Sequence, residues 1–154
     1  MMLRLAKIYL EEMELVKDLG DKTHKLALTS VAVSPDSKRV YTAAKDAGIV
    51  VWDLESGAKL FKIPGGRKGQ QSLHPGHCSA VLAMAVSSDN KLLASGDSLG
   101  HVRLFGFPTI NDKSEFDEDK PTSGPVLSTK FFADDSYVIV VGGLEAGLFK
   151  YKIK

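Results

Sequence analysis

One interval recurs three times along these 154 residues and leaves few folds open. Asp36, Asp89 and Asp135 each precede an aromatic residue, Trp52, Phe105 and Tyr151, by 16 positions. The same aromatics follow His24, His77 and Ser123 by 28 positions. Around these anchors lie LTSVAVSPDSKRVYTAAKDAGIVVWDL (28–54), VLAMAVSSDNKLLASGDSLGHVRLFGF (81–107) and VLSTKFFADDSYVIVVGGLEAGLFKYK (126–152). Each segment opens with alternating apolar positions, breaks at a polar turn, resumes with a second apolar run, and reaches a third after a glycine-containing turn. Alternation at period two is the pattern of a half-buried strand. A short unit repeated at a fixed interval cannot bury its own face and must stack on its neighbours. The spacing therefore predicts an all-β chain of three sheet units. A fourth strand is expected in the first unit over 58–63, after the turn at Glu55, Ser56 and Gly57. The anchors stand 53 and then 46 residues apart, so surplus sequence falls in two loops, 64–75 and 108–125.

Composition narrows the partner. Hydrophobic residues make up 44% and charged residues 25%, which is the range of an ordinary globular chain. Twenty Lys and Arg against nineteen Asp and Glu give a net charge of +1, so any nucleic-acid contact has to come from a local patch. The single cysteine, Cys78, excludes an internal disulfide and fits a reducing compartment. The amino-terminal stretch MMLRLAKIYLEEMELVKDL is broken by charge every few residues, unlike a secretion signal. No run approaches the roughly 18 apolar residues of a membrane span, so a soluble intracellular chain is expected. Within that stretch Leu5, Ile8, Tyr9, Glu12, Leu15, Val16 and Leu19 fall near helical spacing, with Gly20 as the stop. The expected division is an N-terminal helix over 1–20, then three units over 21–154 at about 24–63, 77–107 and 123–154. The helix either packs on a sheet face or serves as a partner-binding appendage.

The content of the units resembles the WD-repeat family. Trp52-Asp53 matches its signature dipeptide, Gly76-His77 matches the second, and SPD and SSD match its first turn. Each such repeat supplies the strands of one β-propeller blade. The resemblance implies a hydrogen-bonded chain of histidine, hydroxyl, carboxylate and indole inside each blade. It maps onto His24, Thr42, Asp46 and Trp52 in blade one. In blade two it maps onto His77, Ser95, Leu99 and Phe105, where carboxylate and indole are both replaced. In blade three it maps onto Ser123, Val141, Glu145 and Tyr151, with little left. A His–Thr–Asp set superficially resembles a catalytic triad, but in a repeat its expected role is to hold the blade together. No convergent nucleophile and base are found, so an enzyme is not expected.

Other clusters carry weaker chemistry. His74, His77 and Cys78 in LHPGHC offer zinc-type ligands, but no fourth ligand is evident, and no metal or cofactor is expected. The segment PGGRKGQQS lacks the G-x-x-x-x-G-K-S/T arrangement of a phosphate loop. It reads as a solvated inter-blade loop, or as a small basic contact for RNA or a partner formed by Arg67 and Lys68 with Lys59 and Lys62. The acidic run NDKSEFDEDKPTSGP reads as flexible and solvated.

The first two-thirds resemble the WD-repeat proteins of the U3 small nucleolar ribonucleoprotein. The carriers are LRLAKIYLEEM, SPDSKRVYTAAKDAGIVVWDLESGAKLFKIP and PGHCSAVLAMAVSSDNKLLASGD. GHVRLFGFP and DDSYVIVVGGLEAGLFKYKIK are more similar to the echinoderm microtubule-associated-protein-like family. The first resemblance implies a non-catalytic scaffold in ribosomal RNA processing, in the nucleolus, with the U3 snoRNA and box C/D core proteins as partners. The second implies tubulin and the cytoskeleton, and a generic protein scaffold is a third alternative. Closed propellers have four to eight blades, so three leave two faces open. Self-association to complete the ring, cover from the N-terminal helix, or a truncated and marginally folded chain is expected.

Overall fold

A computed structural model describes residues 23–67, 75–106, 116–144 and 146–154. The helix expected over 1–20 lies outside these residues, as do Lys68, His74 and Glu145. Eleven strands are described, in three antiparallel sheets. The first sheet holds β1 (Leu28–Val33), β2 (Arg39–Ala44), β3 (Ile49–Asp53) and β4 (Lys59–Ile63), in chain order. The second holds β5 (Val81–Val86), β6 (Leu92–Asp97), β7 (Val102–Gly106) and β8 (Phe116–Asp119). The third holds β9 (Val126–Phe131), β10 (Tyr137–Gly142) and β11 (Leu148–Lys152). Among the described residues no helix is long and apolar enough to cross a membrane.

β8 overturns one expectation. Part of the acidic loop is ordered as the fourth strand of blade two, pairing Phe116 with Phe105, Asp117 with Leu104, Glu118 with Arg103 and Asp119 with Val102. Aspartate and glutamate disfavour strands on propensity alone. Here the strand is held by its partners. The ring of Phe116 lies 6.0 Å from that of Phe105, and the Arg103 guanidinium sits 4.5 Å above the Phe116 ring. Arg103 Nε also donates to Glu118 Oε2 at 2.6 Å.

The strands also correct the register of blade three. β9 starts 45 residues after β5, whereas β11 starts 46 after β7, so the β10–β11 turn carries one extra residue. The aspartate equivalent to Asp36 and Asp89 is consequently Asp134. Asp36 Oδ1 accepts from the Lys38 N–H and Asp89 Oδ1 from the Lys91 N–H, as Asp134 Oδ1 does from the Ser136 N–H. Asp135 takes the next position, where Ser37, Asn90 and Asp135 all have φ near +60° (57°, 61° and 57°). Short polar side chains tolerate that left-handed geometry better than most.

Each sheet has two faces, and the core lies between neighbouring sheets. Tyr41, Ala43, Ile49, Val51 and Ile63 of blade one pack on Val81, Met84, Leu93 and Phe105 of blade two. Ala83 and Val102 of blade two then face Val126, Val140, Phe149 and Tyr151 of blade three. Burying each of the valine, leucine, isoleucine, methionine and phenylalanine side chains among them contributes about 1.5–3 kcal/mol before entropy is counted. Polar groups fix the stacking. The Thr29 hydroxyl donates to the Val81 carbonyl. Asp135 accepts from the Ser88 N–H at 2.7 Å, the Ser88 hydroxyl at 2.6 Å and the Asp89 N–H at 2.9 Å.

The two terminal faces differ from the inner ones. Val81 and Met84 are 0% and 7% exposed against blade one, while Leu28 and Val31, at the same positions of blade one, are 63% and 64% exposed. Leu148 on the far side of blade three is 69% exposed.

Candidate functional site

The chemistry-bearing side chains of blade one converge beside β2, β3 and the turn between them. Trp52 Nε1 donates to Thr42 Oγ1 at 2.8 Å, and Thr42 Oγ1 lies 2.9 Å from His24 Nε2. His24 Nδ1 is 3.4 Å from Asp46 Oδ1. With the indole donating to it, the Thr42 hydroxyl gives its own proton to Nε2, which leaves Nδ1 as the donor toward Asp46. Asp46 also accepts from the Lys25 and Gly48 N–H groups, at 2.8 and 3.0 Å. Burial alone would raise the Asp46 carboxyl, but these bonds and the His24 imidazole hold it below its ordinary range.

Blade two keeps a carboxylate that positional mapping had removed. His77 Nε2 lies 2.7 Å from Ser95 Oγ, and His77 Nδ1 lies 3.0 Å from Asp97 Oδ2. Asp97 stands two residues before Leu99, the equivalent of Asp46, and its Oδ1 accepts from the Leu99 and His101 N–H groups at 2.9 and 3.0 Å. A second imidazole, His101, brings Nδ1 to 3.3 Å of Asp97 Oδ2. Burial pushes Asp97 up, but the hydrogen bond and charge of His77, with the His101 N–H, bring it down to about 2. At His77 burial is the larger effect and holds the imidazole below its ordinary range, although the Asp97 carboxylate pulls it up. The missing indole needs no replacement, because Ser95 is satisfied by His77. Phe105, fully buried, fills the space.

In blade three the place of His24 and His77 falls on Thr122, not Ser123, because Thr122 and the two histidines each precede their first strand by four residues. Thr122 is 3% exposed, and its hydroxyl accepts from the Gly124 N–H at 3.2 Å. Val140, not Val141, faces the core with Tyr151. The Tyr151 hydroxyl reaches across the blades to Asp119 Oδ2 at 2.7 Å, and burial followed by that carboxylate pushes the phenol up.

The hydroxyl–imidazole–carboxylate order of blades one and two is the order of a catalytic triad, but the access is wrong. Ser95 and His77 are both 0% exposed, so no substrate can reach that oxygen. In blade one the indole N–H occupies the Thr42 oxygen that would have to attack. These sets can order a blade; they cannot serve as nucleophiles.

Lys59 and Lys62 lie on β4, the outer strand of blade one, and Arg67 follows four residues past its end. Lys59 and Arg67 are exposed, while Lys62 is half-buried with Nζ donating to the Thr23 carbonyl at 2.6 Å. The structure thus brings Lys62 to the chain leading into His24 and leaves Lys59 and Arg67 on the surface. Among the described residues no group of three or more His, Cys, Asp and Glu could hold a metal ion.

Two residues central to these networks escaped sequence reasoning. Asp97 was hidden because a fixed offset pointed to Leu99, although the carboxylate in LASGD was only two positions away. Arg103, 1% exposed, donates from Nη1 to the Pro75 carbonyl at 2.8 Å as well as to Glu118. An arginine inside an apolar strand, with an acid 15 residues on, was its only signal.

Comparison with known proteins decides the family. The family model "WD domain, G-beta repeat" matches residues 14–53 and 68–105, just over half of the chain. The chain belongs to the WD-repeat family. Its second blade carries the repeat's histidine–carboxylate pair in a displaced form, with Asp97 in place of a residue at position 99. Among curated relatives, human U3 small nucleolar RNA-interacting protein 2 is 51% identical over 74 residues, covering 48% of this chain and 16% of that protein. Mouse echinoderm microtubule-associated protein-like 4 is 24% identical over 148 residues, covering 84% of this chain and 15% of its own length. Among solved structures, the WD40 repeats of RRP9 superpose with a TM-score of 0.64 at 30% identity, covering 86% of this chain and 40% of that one. The structure of U3-55K gives the same TM-score and identity. The chain therefore spans about a sixth of the curated relatives it matches and two-fifths of the solved ones.

Proposed function

We propose that this chain acts as a non-catalytic WD-repeat scaffold of a small nucleolar ribonucleoprotein, in pre-ribosomal RNA processing. The observation that carries this is the 51% identity to a U3 small nucleolar RNA-interacting protein. The 30% identity to the RRP9 repeats over most of the chain supports it. In this reading the U3 snoRNA and box C/D core proteins are the partners, and the nucleolus is the site of action. His24, Thr42, Asp46, Trp52, His77 and Ser95 are structural, and the RNA or partner contact is the basic strip of Lys59, Lys62, Arg67 and Lys68. Four such charges bind phosphate only weakly, so they orient an RNA held mainly by other parts of the particle. The blade boundaries are about 24–63, 77–107 and 123–154, and completion of the ring by further blades or a second copy accompanies the reading.

The test is capture of the tagged chain from nucleolar extract followed by RNA sequencing. Enrichment of U3 RNA, reduced severalfold by Lys59→Glu with Arg67→Glu, is the expected result. Tubulin recovered without RNA would replace this reading with a cytoskeletal one, for which the likeness to the microtubule-associated protein across 84% of the chain is the favouring observation.

A further inference from the structure

We infer that the β2–β3 turn end of blade one is an RNA phosphate site formed by Lys25, Lys45 and Arg67, with Lys62 adding its charge and Lys59 outside it. This deepens the ribonucleoprotein reading and rests on it for the choice of RNA. A net charge of +1 gives the chain no general field for a polyanion, so the contact has to be a local cluster. Three separate segments are tied together at this end. The Lys25 N–H donates to Asp46 Oδ2 at 2.8 Å, which sets Lys25 beside the turn that carries Lys45. Lys62 Nζ donates to the Thr23 carbonyl at 2.6 Å, which draws the end of β4 to the same stretch of chain. The segment leaving β4 is clamped over the turn. A Cβ on Gly65 would lie 2.2 Å from the Asp46 carbonyl oxygen and 2.9 Å from Ala47 Cβ, an approach that glycine alone permits. The Gly66 N–H then donates to the His77 carbonyl at 2.8 Å, and Arg67 follows directly.

Lys25, Lys45 and Arg67 are all exposed. Over residues 23–27, 44–48 and 62–67 the single carboxylate is Asp46. Its side chain is 12% exposed and accepts from the Lys25 and Gly48 N–H groups, so it is directed into the turn and not out among the cations. The other blades lack this cluster. The places of Lys25 and Lys45 are taken by Cys78 and Ser98 in blade two, and by Ser123 and Gly143 in blade three. Lys120, leaving β8, stands beside the carboxylates of that acidic strand. Lys59 belongs to the opposite end of β4. It pairs with Trp52, next to the β3–β4 turn that carries Asp53 and Glu55. Three residues of strand separate it from Lys62, about 10 Å. Leu26 is the one large apolar side chain exposed among these three segments. A surface so rich in cations and poor in apolar area suits a sugar–phosphate backbone better than a protein segment.

Fluorescein-labelled decauridine, titrated into the full chain over a range of salt, tests this. Each phosphate contact on a single strand contributes a salt slope of about 0.7, so Lys25→Gln with Lys45→Gln should lower the slope by about 1.4. The same variant should weaken binding about tenfold or more at about 0.1 M salt, while Lys59→Gln leaves it within about twofold. Unchanged melting temperatures verify that the variants are folded. Absence of binding at low salt would overturn the inference, as would equal weakening by Lys59→Gln, which marks a diffuse field and not a site. An oligoglutamate peptide bound more tightly than decauridine, and lost in the same variant, would reassign the cluster to an acidic protein segment. Capture from extract reads the partner, whereas this titration reads the site. U3 enrichment together with decauridine binding that the Lys25 and Lys45 substitutions leave intact sinks the site alone. Decauridine binding lost in that variant, without U3 enrichment, sinks the ribonucleoprotein reading alone.

Discussion

Asp46 and Asp97 do the same work from different backbone positions, and their burial ranks their worth. Asp97 accepts from a fully buried imidazole and from two N–H groups in the turn before β7, with its side chain 1% exposed. Asp46, at 12%, meets an imidazole at the longer distance of 3.4 Å. Asp97→Ala would strand the His77 donor in the core, costing about 3 kcal/mol, whereas Asp46→Ala costs about 1–2 kcal/mol because water can reach its partners. Thermal melting should show the first variant about 10 °C down and the second about 5 °C down. Equal shifts would mean that the displaced carboxylate is no better used than the regular one. The pair also sets an acid limit. His77 is held below its ordinary value of 6.5, so the unfolded chain binds more protons as pH falls below 6.5 and stability declines there. Asp97, at about 2 instead of 3.8, adds stability that is complete above 3.8 and is lost as pH falls toward 2. Urea midpoints should therefore fall with acidification from about 6.5 downward, and His77→Gln should flatten the upper part of that profile.

Between sheets, complementarity is a matter of small residues facing large ones. A Cβ at Gly96 on β6 would lie 2.2 Å from Val126 Cγ1 and 2.6 Å from Val126 Cβ. Gly96→Ala should therefore destabilise by about 1–3 kcal/mol through overpacking of the blade two–blade three contact. Gly106→Ala, where a Cβ would meet nothing within 4 Å, should stay within about 0.5 kcal/mol. Denaturant unfolding of the two variants checks this, and equal stability would show that the blades slide apart to accommodate the methyl. Elements were legible where the repeat placed them. β1, β5 and β9 stand out because each opens a repeat at the same place before its polar turn, although β5, VLAMAV, is apolar throughout. β8 did not, because its four residues are ordered by Arg103, Phe105 and the edge of β7, none of which is adjacent in sequence.

At the scale of the whole molecule, the three sheets of the described residues bury two interfaces, and among those residues nothing covers the outward faces of blades one and three. Exposed Leu28, Val31 and Val33 on one side, and Leu148 on the other, sit where a ring would place further blades. In isolation the chain should sediment faster than a monomer, and Val31→Asp with Val33→Asp should return it to monomer. A compact, stable monomer of the unaltered chain would count against ring completion. The sequence by itself determined the class of fold, since strand alternation and a recurring interval are local properties that survive without knowledge of neighbours. The blade-one network came from the resemblance to the WD repeat, and the structure brings its four side chains together. Only the tertiary structure decided that Asp97 supplies the carboxylate of blade two, that Thr122 and Asp134 rather than Ser123 and Asp135 hold the equivalent places in blade three, and that an acidic loop becomes β8. A side chain reaches about as far as two residues of backbone rise, so a partner can migrate along the turn while the bond is kept. One extra residue in a hairpin can likewise restore a count that the strands themselves do not obey.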